Sequence, residues 1–257
     1  MPASQPDVTV DLTDLVAVVE IHRPPHNYFD PDLIGDIADA IDRLATDTDC
    51  RAVVLCSEGK NFCAGAAIGS GGPTDPTRTP AVLYRQGVRL FDGPLPIVAA
   101  VQGAAVGGGL GLALAADFRV ATPQTRFHCN FARLGFHHGF GTTVTLPAVV
   151  GQQRAWELLY TGGQVRGDAA LDIGLCDRLV PDDQLRPAAV ALAAEVAASG
   201  PLAVRAIRRT VRADLVERFR HAVDREAEAQ LTLVDTDDFA EGVRATAERR
   251  PPQFTGR

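Results

Sequence analysis

Residues 96–117 read PIVAAVQGAAVGGGLGLALAAD, and the order of their parts sets the architecture. The run 97–101 is short, apolar and uncharged, as a buried strand is, while residues 110–116 are small, apolar and uninterrupted, which predicts a buried helix. Between them stand Gly103 and the triplet Gly107, Gly108 and Gly109. Glycines at such a turn let the backbone come close to a bound group, and the first amides of the following helix have no partner within it. A turn of this kind suits a negatively charged oxygen.

A second stretch follows the same logic. Residues 53–56 (VVLC) form a short apolar strand, and residues 57–68 (SEGKNFCAGAAI) turn through Gly59 and Gly65 with few large side chains after Phe62. Two glycine turns after two buried strands can each direct one amide at a shared point. Such a pair is an oxyanion hole, which stabilises charge developing on a carbonyl oxygen.

The 257 residues suffice for one large domain or for a core with a small appendage. With 46% hydrophobic and 22% charged residues the composition is that of an ordinary globular chain. A net charge of -7 and the lack of a dense basic face argue against nucleic-acid binding. Arg208, Arg209 and Arg212, the densest basic cluster, read as a solvated helix face. Cys50, Cys56, Cys63, Cys129 and Cys176 are odd in number and lack metal-ligand spacing, so reduced, partly buried thiols and no metal are expected. The amino terminus has no basic apolar leader, and no apolar run reaches the roughly 18 residues of a membrane span, so a cytoplasmic protein without membrane partners is expected.

Taken in order, residues 8–10 and 16–21 predict a strand pair joined at Thr13 and Asp14. The segment HRPPHN (22–27) breaks the second strand, and His22 and His26 read as surface residues. A helix over 32–47, with Leu33, Ile37, Ile41 and Leu44 on one face, returns the chain to the VVLC strand as a β-α-β unit. Residues 69–80, rich in glycine and proline, predict a mobile loop, and a helix over 82–91 precedes the central strand. Strands are expected at 118–121 and near 125–129, then a helix from about Val144, with 156–159 continuing a helical pattern that ends at Gly162 and Gly163. Helices are expected over 188–198, 201–211, 216–233 and 238–247. No linker separates independent domains.

The pieces FCAGAAI (62–68), VAAVQGAAVGGGLGLALAADFRVAT (98–122), GFHHGFGTT (135–143) and ERRPPQFTGR (248–257) together resemble the crotonase, or enoyl-CoA hydratase/isomerase, family. The resemblance runs through the whole chain in family order. It implies an α/β fold of repeated β-β-α units over residues 1–186, with a helical region over 187–257 that assembles trimers, often paired as hexamers. It also implies an acyl-CoA thioester as substrate, with coenzyme A entering as part of that substrate and no further cofactor. The amides of Ala66 and Gly108 become the oxyanion hole. Backbone groups of Ala64 and Ala66 meet the adenine, Ile68 forms an apolar wall, Lys60 meets a phosphate and Phe254 closes over the nucleotide of a neighbouring subunit. Gly107 and Phe131 join the substrate-binding set.

Two carboxylates that hold and deprotonate water in the family's hydratases are implied at the positions of Gly111 and Phe131. Neither residue can transfer a proton. Ala67 stands where many members carry an aspartate, and Asp117 matches a structural position. Histidines near the acyl pocket are the candidate replacements: His137, His138 and, less directly, His128. Since adjacent side chains usually point to opposite sides, one of His137 and His138 at most is expected to face the acyl group. Cys129 has no partner that would make it a thiolate. Two functions remain: an enzyme of CoA thioesters whose reaction is not ordinary hydration, or a non-catalytic acyl-CoA-binding protein. A dinucleotide oxidoreductase is excluded, because Leu112 replaces the third glycine of the required turn.

Overall fold

The computed structural model describes residues 6–66 and 80–257. β1 (Val8–Thr13) and β2 (Val16–Ile21) form an antiparallel hairpin at the edge of the main sheet. α1 (Pro31–Thr46) starts where Asp30 accepts from the Leu33 amide at 2.9 Å and Pro31 supplies a fixed first residue. Its Leu33, Ile34, Ile37 and Ile41 face the core, and β3 (Ala52–Ser57) returns parallel to β2, completing the expected β-α-β unit.

α2 (Pro80–Asp92) leads to β4 (Ile97–Val101), β5 (Ala104–Val106) and α3 (Gly108–Ala115). β6 (Phe118–Ala121) and β7 (Arg126–His128) precede a 3-10 turn over Asn130–Leu134. α4 (Thr142–Val150), α5 (Gln152–Thr161), β8 (Gln164–Arg166), α6 (Gly167–Asp172) and β9 (Arg178–Leu179) follow. α7 (Leu185–Ala197), α8 (Pro201–Leu233) and α9 (Asp237–Ala247) end the chain.

The main sheet has the order β1-β2-β3-β4-β6-β9, parallel except for β1, and a small sheet has the order β5-β7-β8. Every residue of β3 and β4 is buried, as expected of parallel strands covered on both faces. One face, with Val19, Val53, Leu55 and Ala99, packs into the large core with α1 and α3; the other, with Val54, Val98 and Val120, packs against α7.

Three expectations are corrected. The predicted helices at 201–211 and 216–233 are one 33-residue helix, because Arg212, Ala213, Asp214 and Leu215 include neither glycine nor proline to stop it. The arginine cluster is not a solvated face: Arg208 and Arg212 are 5% and 9% exposed, and only Arg209 faces water. Both bind Asp117, at 2.9 and 3.1 Å, while Asp117 also accepts from the Ile97 amide at 2.8 Å. His22 is not a free surface residue, since its ring bonds Thr9 and Glu58; His26 is exposed. The five cysteines are all free thiols and buried.

Candidate active site

The two glycine turns are joined through β5. The Cys63 amide donates to the Ala104 carbonyl and the Val106 amide to the Cys63 carbonyl, both at 3.0 Å. A Cβ on Gly109 would collide with the Cys63 carbonyl, so the contact requires glycine. Gly65 has φ +87°, and a Cβ there would lie 2.8 Å from the Val106 oxygen and 3.6 Å from the Gly108 nitrogen. Bond geometry then places the Ala66 nitrogen within about 7 Å of the Gly108 nitrogen. Gly108 is the first residue of α3, and among the described residues neither its amide nor that of Ala66 reaches an acceptor. The Gly107 amide, in contrast, is taken by the His128 carbonyl at 2.9 Å.

The two positions at which carboxylates are implied are both closed. Gly111 is buried in α3, and a Cβ there would lie 2.6 Å from the Cβ of Phe140. Phe131, 9% exposed, sits in the 3-10 turn with its ring 3.4 Å from the Cβ position of Gly107. The Phe131 ring also meets His138 edge-on, with centroids 6.4 Å apart. His138 is therefore one aromatic ring away from the glycine turn.

His137 and His138 do not diverge as expected. Their rings stack at 4.1 Å, because His137 Nδ1 folds onto the His138 carbonyl at 2.7 Å. A carbonyl only accepts, so Nδ1 of His137 donates. His138 Nε2 lies 2.8 Å from Thr143 Oγ1. Burial, and secondarily the neighbouring His137, push the His138 pKa down to about 4. His128 is directed elsewhere: its Nε2 meets the Gly162 carbonyl at 3.2 Å, and burial lowers its pKa.

Behind the histidines stands a carboxylate that the sequence did not single out. Glu226 of α8, 1% exposed, accepts from the Gly141 amide at 2.7 Å, the Thr143 amide at 3.0 Å and the Thr143 hydroxyl at 2.5 Å. Burial raises its pKa, against the hydrogen bonds from Thr143 and Gly141. Gln230, one turn along α8, donates to the His137 carbonyl at 3.1 Å and accepts from Tyr84 of α2 at 2.8 Å. The signal available in the sequence was positional, since Glu226 falls on the same stripe as Phe219, Val223 and Gln230, all buried.

Lys60 is exposed in its turn, and the Ala64 amide is taken by the His26 carbonyl at 2.9 Å. Ile68 lies outside the described residues. Phe254 is 42% exposed on a terminal segment that Asp238 and Glu241 tie to α9 rather than to the glycine turns. Burial pushes the Cys129 thiol up to about 12, which leaves it unreactive. Among the described residues no group of three His, Cys, Asp or Glu is placed to hold a metal.

A sequence model of the enoyl-CoA hydratase/isomerase family matches residues 12–257. The (E)-benzylidenesuccinyl-CoA hydratase of Thauera aromatica is 33% identical over 255 residues, covering 97% of this chain and 99% of that protein. The crotonyl-CoA hydratase of Syntrophomonas wolfei is 31% identical over 253 residues, covering 96% and 97%. Among solved structures, an enoyl-CoA hydratase/isomerase from Pseudoalteromonas atlantica superposes with a TM-score of 0.88 at 30% identity, covering 97% of this chain and 100% of that one. The fold is the crotonase fold that the resemblance implies, and the chain belongs to the enoyl-CoA hydratase/isomerase family.

Proposed function

We propose that the protein binds an acyl-CoA thioester, receives the thioester oxygen between the amides of Ala66 and Gly108, and uses His137 or His138 as the base of a reaction other than ordinary water addition. The observation that carries this reading is the closure of both implied carboxylate positions, one by Phe140 against Gly111 and the other by the ring of Phe131. C–C cleavage, thioester hydrolysis and isomerisation all pass through charge on the thioester oxygen and need only one proton-transfer group. Lys60 and the backbone of Ala64 are assigned to the nucleotide, and Phe254 to that of a neighbouring subunit.

Assembly into three or six copies through the helical region 187–257 belongs to the same proposal. Leu202, Ile207 and Val211 of α8 are 81%, 60% and 72% exposed, which supports it. A cytoplasmic location belongs to the same proposal, with the net charge of -7 speaking against nucleic-acid partners.

The test is incubation with a panel of enoyl-CoA and 3-oxoacyl-CoA thioesters and product analysis by mass. Turnover abolished by His137→Ala or His138→Ala is expected. Crotonyl-CoA hydration at tens per second or more, on the order of an ordinary enzyme rate, would overturn the exclusion of hydration. One observation favours a non-catalytic acyl-CoA-binding protein instead: the His138 pKa near 4 makes it a weak base on its own. Tight binding without turnover across the panel would establish that reading.

A further inference from the structure

The low basicity of His138 has a structural answer in the groups behind it. The carboxylate of Glu226 is surrounded by donors: the Gly141 amide on Oε2, and the amide and hydroxyl of Thr143 on Oε1. A carboxylate only accepts, so the Thr143 hydroxyl proton points at Oε1 and its oxygen is left to accept from His138 Nε2 at 2.8 Å. Nε2 of His138 therefore carries the proton. Nδ1 carries the lone pair, and no hydrogen bond engages it among the described residues.

We propose that Thr143 and Glu226 are positioning residues for His138, holding it with Nδ1 as the basic nitrogen and carrying its Nε2 proton away when Nδ1 takes one. The inference rests on the reading of His138 as the base of an acyl-CoA reaction. The step balances. One proton leaves the acyl-CoA, or a water attacking it, for His138 Nδ1, and the Nε2 proton passes to Thr143 Oγ1. The hydroxyl's own proton goes to Glu226 Oε1. His138 stays neutral, Thr143 is regenerated and Glu226 becomes a neutral acid, so the negative charge moves from Glu226 to the thioester oxygen.

The energetics favour this route over a free imidazolium. Burial of His138 disfavours the cation, whereas burial of Glu226 favours its protonated form. The two shifts point in opposite directions, and both assist the same transfer. The other titratable groups facing the chain are His137, stacked on His138, Tyr84 from α2 and Arg225 from α8. The Phe131 ring meets His138 edge-on and packs beside Gly107.

The experiment uses the full chain labelled with nitrogen-15 at histidine, with the two ring nitrogens of His138 resolved by NMR and assigned with His138→Asn. Wild type is expected to show His138 protonated at Nε2 from about pH 5 to 8. Thr143→Val, which leaves the amide bonds to Glu226 intact, should release the tautomer, and Thr143→Ser should restore it. With any thioester that is turned over, Thr143→Val should lower kcat on the order of a hundredfold with KM within about twofold, and Thr143→Ser should recover it. His138 protonated at Nδ1 in wild type, or a Thr143→Val protein with unchanged tautomer and kcat, overturns the proposal. Absence of turnover by wild type across the panel overturns the enzymatic reading instead, and the tautomer still decides the placement of the proton.

Discussion

Gly111 and Phe140 occupy one volume: the Cβ that Gly111 lacks would stand 2.6 Å from the Cβ of Phe140. Phe140 has φ 58°, a left-handed conformation uncommon outside glycine, and its ring packs between Phe29 and Tyr84. The turn that carries the histidines is thus pressed against α3 at the position where a carboxylate is implied.

Gly111→Ala is expected to lower stability by about 1–3 kcal/mol through overpacking, although alanine favours a helix interior by roughly 1 kcal/mol. The clash wins because it is with an atom fixed to the backbone. Gly111→Glu should introduce no hydratase activity. A urea midpoint for Gly111→Ala equal to or above wild type would count against the packing argument.

Gly109→Ala should damage thioester binding more than Gly108→Ala. The first collides with the Cys63 carbonyl, which holds the two glycine turns together, and the second with the end of the Phe29 ring. A ring can shift where backbone cannot. Calorimetry with a 3-oxoacyl-CoA measures the order, and the reverse order would refute it.

Asp117→Asn should cost about 3 kcal/mol, near the lower end for a broken buried pair, because it leaves Arg208 and Arg212 charged in a buried site. Burial already lowers the Arg212 pKa to about 10. Chemical denaturation is the measurement; a loss below about 1 kcal/mol would show that the two arginines find water or other partners.

Alkali should destabilise the fold through its thiols. Burial raises Cys56, Cys63 and Cys129 to about 12 and Cys176 to about 11, from an ordinary value near 9. Between these values the unfolded chain has lost protons that the folded chain keeps, so stability is complete below about pH 9 and falls as pH rises toward 12. Denaturation midpoints from pH 8 to 11 test this, and a flat profile would contradict the burial of these thiols.

On the acid side His138 acts in the opposite sense. Its folded pKa of about 4 lies below the ordinary value of 6.5, so between these values the unfolded chain binds the extra proton and stability falls as pH falls. His138→Asn should narrow the stability difference between about pH 5 and pH 8. An undiminished difference would show that the ring is not held neutral.

Much of the fold was legible because the signals were local. The apolar runs of β3 and β4, the Asp30-Pro31 helix start and the glycines before α3 each act over a few residues. β5 and β8, three residues each, were not legible, since such short strands exist only through their partners. Arg208 and Arg212 looked like surface charge because their partner Asp117 lies about ninety positions earlier. The same distance hid the site's carboxylate: Thr143 stands in the quoted turn, but Glu226 is one acid among several in DREAEAQ, and only tertiary packing distinguishes it.

α8 braces both the end of α3 and the turn that carries the histidines. Its Arg208 and Arg212 grip Asp117 at the end of α3, and its Phe219, Glu226 and Gln230 seat the histidine turn. From Arg212 to Glu226 the helix advances about 21 Å. A slide of one residue along its axis, about 1.5 Å, would break both sets of bonds together. The helix is a splint of fixed length, and an insertion or deletion of a single residue between those anchors would uncouple the histidine turn from the glycine turn while leaving Ala66, Gly108, His137 and His138 themselves unaltered.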